Sequence, residues 1–239
     1  MKLHNIHVHS TYSDGELEPE ELIELAEREH LELLGISDHG FTSKLSSALN
    51  TKEAIQGYIA DLSRLKEYGN GVELKLGLEI DFSIQTGYEP SKLPFDILNK
   101  LDYVLFEYVH KYTEIHGWKD RRSIEELLKI RHKLKIPVGL AHNDLQLNFD
   151  DEEIAELLSA NDIFVEICQS EPLYNVGRNT RDGLDYYELF SPELLEEMEF
   201  YRVGVAVGTD VHSGISLSAF GDAYEFIKKH NLSFSKLVQ

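Results

Sequence analysis

Short apolar, β-branched runs alternate along the chain with longer charged stretches whose apolar residues recur at helical spacing. The runs predict strands at about Asn5–His9, Leu33–Ser37, Glu73–Phe82, Asp102–His110, Pro137–Ala141, Ile163–Ile167 and Val203–Val207. Between them the helix signals are local. Pro19 opens a first turn followed by Glu20 and Glu21. The next helix covers about Lys52–Tyr68 and stops at Gly69-Asn70-Gly71. Ser123, with Glu126 three residues on, reads as the N-cap of a helix reaching about Leu134. Asp150 or Asp151 caps another, Ser191-Pro192-Glu193 starts the next, and the last runs about Ser218–His230. This alternation predicts an α/β fold with parallel strands, a barrel of seven strand–helix units, one short of the common eight. No Gly/Ser linker or low-complexity run divides it, so residues 1–239 are expected to form a single domain. Gln169–Leu189 is the longest segment without a periodic pattern, and long loops in compact domains are often functional.

Charge narrows the partners. Acids outnumber bases 43 to 23, a formal net charge of −20, which argues against a basic nucleic-acid-binding face and against anionic membranes. No apolar run is long enough to span a bilayer, and Met1–Asn5 lacks the apolar core of a signal peptide. The one cysteine, Cys168, allows no internal disulfide and makes a reducing cytoplasm the expected location.

The chemistry lies in the histidines. Of the eleven, His7, His9, His39, His110, His142 and His212 sit at the ends of predicted strands or just past them, accompanied by Asp14, Glu79 and Asp210. In parallel barrels the C-terminal strand ends are where active sites are built. His7 and His9 are two apart on a strand and should share a face, with Val8 turned toward the helices. Glu79 stands in the apolar run Leu76-Gly77-Leu78-Glu79-Ile80, where an unpaired carboxylate is costly and a metal-bridging one is not. Imidazole and carboxylate without thiolate suit zinc, iron or manganese. A lone strand histidine is commonly a hydrogen-bonded core residue, but that reading would have to hold nine times at one end of the barrel. It fits His30, His132 and His230 better, near predicted helix C-termini where positive charge is welcome. His4 precedes the site end of its strand and is expected outside the site.

These motifs resemble the PHP family, the polymerase and histidinol phosphatase superfamily. His7-Val8-His9-Ser10-Thr11-Tyr12-Ser13-Asp14-Gly15 is similar to its first motif and Ser37-Asp38-His39 to its second. Gly77-Leu78-Glu79, Val109-His110, Ala141-His142 and Gly208-Thr209-Asp210-Val211-His212 are similar to the rest, in the family's order. The resemblance covers nearly the whole chain and implies a distorted (β/α)7 barrel holding two to three divalent ions (zinc, manganese or iron). It implies that His7, His9, Glu79 and Asp210 hold the first metal, that His39, His142 and Asp14 hold the second, and that Glu79, His110 and His212 hold the third. The chain departs from the pattern at Phe106-Glu107-Tyr108-Val109, where a Gly-Ser pair is usual. It departs again at Asn143, where proline is common, and at Ile167-Cys168 after Glu166, where asparagine is common.

The expected activity is hydrolysis of a small-molecule phosphate monoester. Clustered divalent ions lower the pKa of water and clamp phosphoryl oxygens. Asp14 or His212 would move protons. Arg178 and Arg181, in the long loop, could bind phosphate oxygens bidentately, Arg178 close enough to the chemistry to count as catalytic, and Tyr174 could line a leaving-group pocket. Histidinol phosphatases resemble the chain in size, in Ser191-Pro192-Glu193-Leu194-Leu195 and in an arginine of that loop, which makes histidine biosynthesis the first pathway to consider. A nuclease acting on short oligonucleotides or nucleotides is one alternative, in which nucleic acid enters only as a small substrate. A barrel retained as a non-catalytic subunit is another, and it predicts lost ligands and a basic surface.

Overall fold

The computed structural model describes residues 2–67, 71–82, 89–109, 122–147, 150–169, 185–213, 216–218 and 220–239. Its strands are β1 (His4–Val8), β2 (Leu33–Ile36), β3 (His39–Gly40), β4 (Glu73–Leu76), β5 (Glu79–Asp81), β6 (Val104–Glu107), β7 (Val138–Ala141), β8 (Ile163–Cys168), β9 (Gly204–Gly208) and β10 (Ser233–Phe234). All pairings are parallel, in the orders β1-β2-β4 and β10-β9-β8-β7-β6-β5-β3. The predicted third strand is interrupted, as β4/β5, and the second is followed after a break by β3, just past its predicted end. The two breaks lie side by side. The Tyr58 hydroxyl, from helix Lys52–Glu67, is 3.0 Å from both the Ile36 and the Gly77 carbonyl oxygens and serves the backbone where pairing lapses.

The barrel closes between its first and last strands just past β9. Val8 bridges Val211, the His9 amide donates to the Val211 carbonyl at 2.9 Å, and the Asp210 amide donates to the His7 carbonyl at 2.8 Å. At the opposite end β10 pairs with β9 instead, and the buried His4 ring accepts from the Val207 amide at 3.0 Å. Burial lowers the His4 pKa to about 4, so the ring is a neutral structural element, outside the site as the sequence implied.

An apolar cluster of Ile6, Leu33, Tyr103, Leu105, Ala141, Phe164 and Ala206, sealed by Leu237 and Val238, is distinct from the larger core that includes the helices' apolar faces. Tyr103 lies against Gly77, where a Cβ would fall 2.2 Å from its ring. Simple alternation would put Ile6 and Val8 on one face, yet Ile6 joins the smaller cluster and Val8 the larger. The register shift between Asn5 and Val8 is the reason: an irregularity in the pairing resets which face each side chain meets.

Helices occupy Pro19–Arg28, Lys52–Glu67, Phe95–Leu98, Arg122–Arg131, Asp151–Ala160, Pro192–Phe200 and Gly221–Lys229. Ser191 caps its helix by accepting from the Leu194 amide at 2.9 Å. Ser123 does not cap: it falls inside Arg122–Arg131, buried, with its hydroxyl unbonded, because the turn that carries it is already helical. Among the described residues, no helix is long and apolar enough to cross a membrane.

Candidate metal centre

The C-terminal strand ends carry backbone as well as side-chain signals. Phe41, Tyr108, His142 and Asp210, each just past a strand of this end, have positive φ values of 52°, 56°, 33° and 51°. L-residues pay for that conformation, and it concentrates where geometry is over-determined by function. The other positive-φ residues, His30, Asp162, Arg202 and Asn231, lie just past helix ends, where a left-handed residue is the ordinary way to terminate.

Eight of the nine metal ligands expected from sequence converge at this mouth. The ninth, His110, lies outside the described residues, as do Tyr174, Arg178 and Arg181. One donor group comprises His7, Glu79, His142 and Asp210. His142 Nε2 is 2.8 Å and His7 Nε2 3.3 Å from Glu79 Oε1, and His7 Nε2 is 3.6 Å from Asp210 Oδ1. A second comprises His9, Asp14, His39 and His212. Asp14 Oδ1 faces His212 Nε2 at 3.4 Å, His9 Nδ1 at 3.7 Å and His39 Nε2 at 3.9 Å. His9 stands between the two, its Nε2 3.0 Å from Asp210 Oδ1 and its ring stacked on His212 at 4.1 Å. A third group joins His39, Glu79 and Glu107.

Among the described residues the donors group differently from the partition implied by resemblance: His142 lies against Glu79 rather than against His39 and Asp14, and His212 lies against Asp14 and His39 rather than against Glu79. Strand order around the barrel decides which donors face one another, and spacing along the chain does not carry it.

The donors fit divalent cations. His39 Nδ1 and Glu79 Oε2 are buried without a hydrogen bond, although they approach to 2.9 Å. A buried ring nitrogen and a buried carboxylate oxygen this close need a proton or a cation between them. Nitrogen and oxygen donors without sulfur match zinc, iron(II) or manganese. Protons partly substitute in the metal-free site. Burial opposes a charge on His7, but the carboxylates of Glu166, Glu79 and Asp210 overcome it and raise its pKa. Burial likewise opposes charge on His39, and Glu79 prevails, raising it to about 10. His9 is lowered to about 3 by burial and by the neighbouring His212 and His39. Asp14, against the effect of burial, is lowered to about 2 by His212 and His9.

Two carboxylates that the sequence did not assign support the ligands. Glu166 Oε1 is 2.8 Å from His7 Nδ1, and its Oε2 accepts from the His142 amide at 3.1 Å. Room for it exists because Gly208 has no Cβ, which would fall 1.9 Å from Glu166 Oε1. Its signal was visible, an acid in the apolar run Ile163–Cys168, as Glu79 is in its own strand. Asp38 accepts from the Ser10 amide and from the Ser10 and Ser13 hydroxyls at 2.7–2.8 Å, which pins the loop carrying Asp14. A carboxylate on the far nitrogen of a ligating histidine fixes its tautomer and orientation. Glu166→Ala is therefore expected to weaken metal affinity by about 10–100-fold with the fold retained. A metal titration reading parental affinity would refute that role.

A model of the PHP domain matches residues 5–170. An uncharacterised protein of Methanocaldococcus jannaschii is 30% identical over 180 residues, which is 75% of this chain and 71% of that one. Among solved structures, histidinol phosphate phosphatase from Lactococcus lactis, complexed with zinc, L-histidinol and phosphate, superposes with a TM-score of 0.61 at 17% identity over 99% of this chain and 98% of that chain. A proposed histidinol phosphatase of Listeria monocytogenes gives 0.61 at 14% identity, over 93% and 99%. At these identities the structural likeness establishes the fold.

Proposed function

The chain belongs to the PHP domain family of metal-dependent phosphoesterases, and on that premise we propose that it hydrolyses small-molecule phosphate monoesters, with L-histidinol phosphate the first substrate to test. The observation that carries this reading is the overlap of three donor groups at one barrel mouth, with Glu79 common to two of them. A barrel kept only as a subunit would not be expected to retain so many converging ligands.

His7, His142, Glu79 and Asp210 would hold one ion, and His9, Asp14, His39 and His212 a second. His110 remains a ligand proposed from sequence for a further one. The bound ions would supply Lewis acidity, lowering the pKa of water and neutralising phosphoryl charge. The remaining work falls to side chains. Asp14 is the most exposed carboxylate of the donor groups, with 30% of its side chain accessible, and its low pKa keeps it ionised. Its second oxygen can accept a proton at the mouth, and the His212 ring stands beside it, Nε2 3.4 Å from Asp14 Oδ1. The His212 Nδ1 atom, 2.8 Å from the Asp210 carbonyl oxygen, is oriented by that contact. Glu166 holds His7 in register. Arg178, Arg181 and Tyr174 are proposed from sequence as contacts for the phosphate and the leaving group.

The test combines metal content with phosphate release from histidinol phosphate, an aryl phosphate and a short oligonucleotide. Two or three ions per chain with selective turnover of histidinol phosphate is the expected result. Release only from the oligonucleotide would move the activity to a nuclease. A metal-replete chain that binds no divalent ion and releases no phosphate would end the catalytic reading.

A further inference from the structure

The metal donors occupy the C-terminal strand ends. A separate cavity opens at the opposite end of the barrel, where β7, β8, β9 and β10 begin. Its volume is about 520 Å³, within the range of small-molecule sites. Its charge runs against that of the chain. Arg131, Lys135, Arg202 and Lys236 line it with a single acid, Asp162, whereas the chain as a whole carries 43 acids to 23 bases.

The four cations are held differently. Lys236 shares its charge with Asp162, its Nζ 3.2 Å from Oδ2. Arg131 is held by main-chain carbonyls: its Nε donates to Asn161 at 2.9 Å and its Nη1 to Leu134 at 2.8 Å. These bonds fix the guanidinium without neutralising it and leave further N–H groups to donate. Among the described residues no carboxylate pairs with Arg131, Lys135 or Arg202. Like charges gathered at one cavity repel one another, and a bound anion removes that cost. Ser235 also lines the cavity, and its hydroxyl is buried without a hydrogen-bond partner. Such a group is costly to leave unserved, and the acceptor it lacks is one that an oxyanion offers.

We propose that this cavity binds a phosphoryl dianion, carried by a small phosphate ester or present as phosphate itself, through Arg131, Lys135 and Arg202. Guanidinium groups grip phosphoryl oxygens in pairs, and lysine adds a compact charge. Phe164 and Phe234, also in the lining, offer apolar surface to the organic part of an ester. The inner apolar cluster reaches from Phe164 and Leu237, which line the cavity, to Ala141, beside His142. That packed layer keeps the anion apart from the metal donors, so the site is separate from the hydrolytic one and independent of how the metal centre is read.

The test is isothermal titration calorimetry of the metal-stripped full-length chain with inorganic phosphate and with phenyl phosphate, at an alkaline pH where both are dianions. The parent is expected to bind one anion per chain at this cavity. Lys135→Gln/Arg202→Gln is expected to weaken that binding about tenfold or more, and Ser235→Ala about threefold. Both replaced cations are exposed and unpaired, so the double variant keeps the fold. Lys100→Gln/Lys229→Gln, which removes the same charge from exposed positions outside the cavity, is expected to bind as the parent does, and so is His212→Gln at the metal mouth. Tighter binding of phenyl phosphate assigns the site to an ester, and equal binding assigns it to phosphate. A parent that binds neither probe overturns the proposal, as does parental affinity in Lys135→Gln/Arg202→Gln. An equal loss in Lys100→Gln/Lys229→Gln overturns it too, since net charge would then explain the attraction, and loss in His212→Gln alone would place the anion at the metal mouth instead.

Discussion

Replacing Glu79 with glutamine is expected to remove at least one metal ion and to cut turnover on the order of 10³-fold or more, the scale seen when a charge-stabilising group of a preorganised site is removed. Glu79 is fully buried and placed centrally. Its Oε1 faces His142 at 2.8 Å and His7 at 3.3 Å, and its Oε2 faces His39 at 2.9 Å and His9 at 3.5 Å. Glutamine keeps the volume, so core packing on either side, at Leu78 and Ile80, is retained and the effect reports charge. In the metal-free chain, burial works against ionisation of Glu79, yet His7 and His39 hold its pKa well below the usual carboxylate range. Loss of that anion should therefore lower the proton affinity of both histidines as well. Metal analysis and steady-state kinetics on the purified variant check the expectation. Parental metal content with parental turnover would show that Glu79 is not the shared ligand.

Chelation is expected to lower the melting temperature by roughly 10 °C. An ion present at 1,000 times its dissociation constant stabilises the native state by about 4 kcal/mol per site, and a domain of this size shifts by about 2–4 °C per kcal/mol. The effect has a defined sign with pH. Coordination requires neutral imidazoles, whereas the metal-free site favours protonation of His7, His39, His142 and His212, all of whose pKa values are raised. In each case burial opposes the proton and the nearby carboxylates outweigh it. Metal binding must expel these protons, so metal-linked stability grows as pH rises and fades in acid. In the metal-free chain the same histidines stabilise the fold fully below the unfolded value near 6.5 and lose that contribution as pH rises, for His39 through about 10. Both trends widen the gap between loaded and metal-free melting toward alkaline pH. Thermal melts with and without chelator between pH 6 and 9 measure it, and coincident melts throughout would contradict tight metal binding.

Much of this site was legible before any geometry. Two rules sufficed: alternation marks strands, and parallel barrels carry their chemistry at the C-terminal strand ends. They located His7, His9, His39, Glu79, His142, Asp210 and His212 as one set, because each stands at or just past an apolar run. Where local reading failed, the competing influence was tertiary. Ser123 has the composition of a cap but lies inside a helix. Ile6 and Val8 have the spacing of one face but split across two clusters, because the pairing of β1 shifts register. Glu107 carried the same signal as Glu79 and Glu166, an acid within an apolar run, but nothing local says which donors it meets.

The sequence by itself determined the alternating α/β architecture and the residue types gathered at one end of the barrel, since both follow from periodicities of two and 3.6 along a single chain. Tertiary structure alone decided which donors meet. Only barrel closure sets Glu79 against His142 and Asp14 against His212, and brings Glu107 within reach of His39. The reason is physical: coordination depends on distances across the barrel of a few ångströms, and these are fixed by strand order, register and twist rather than by separation along the chain.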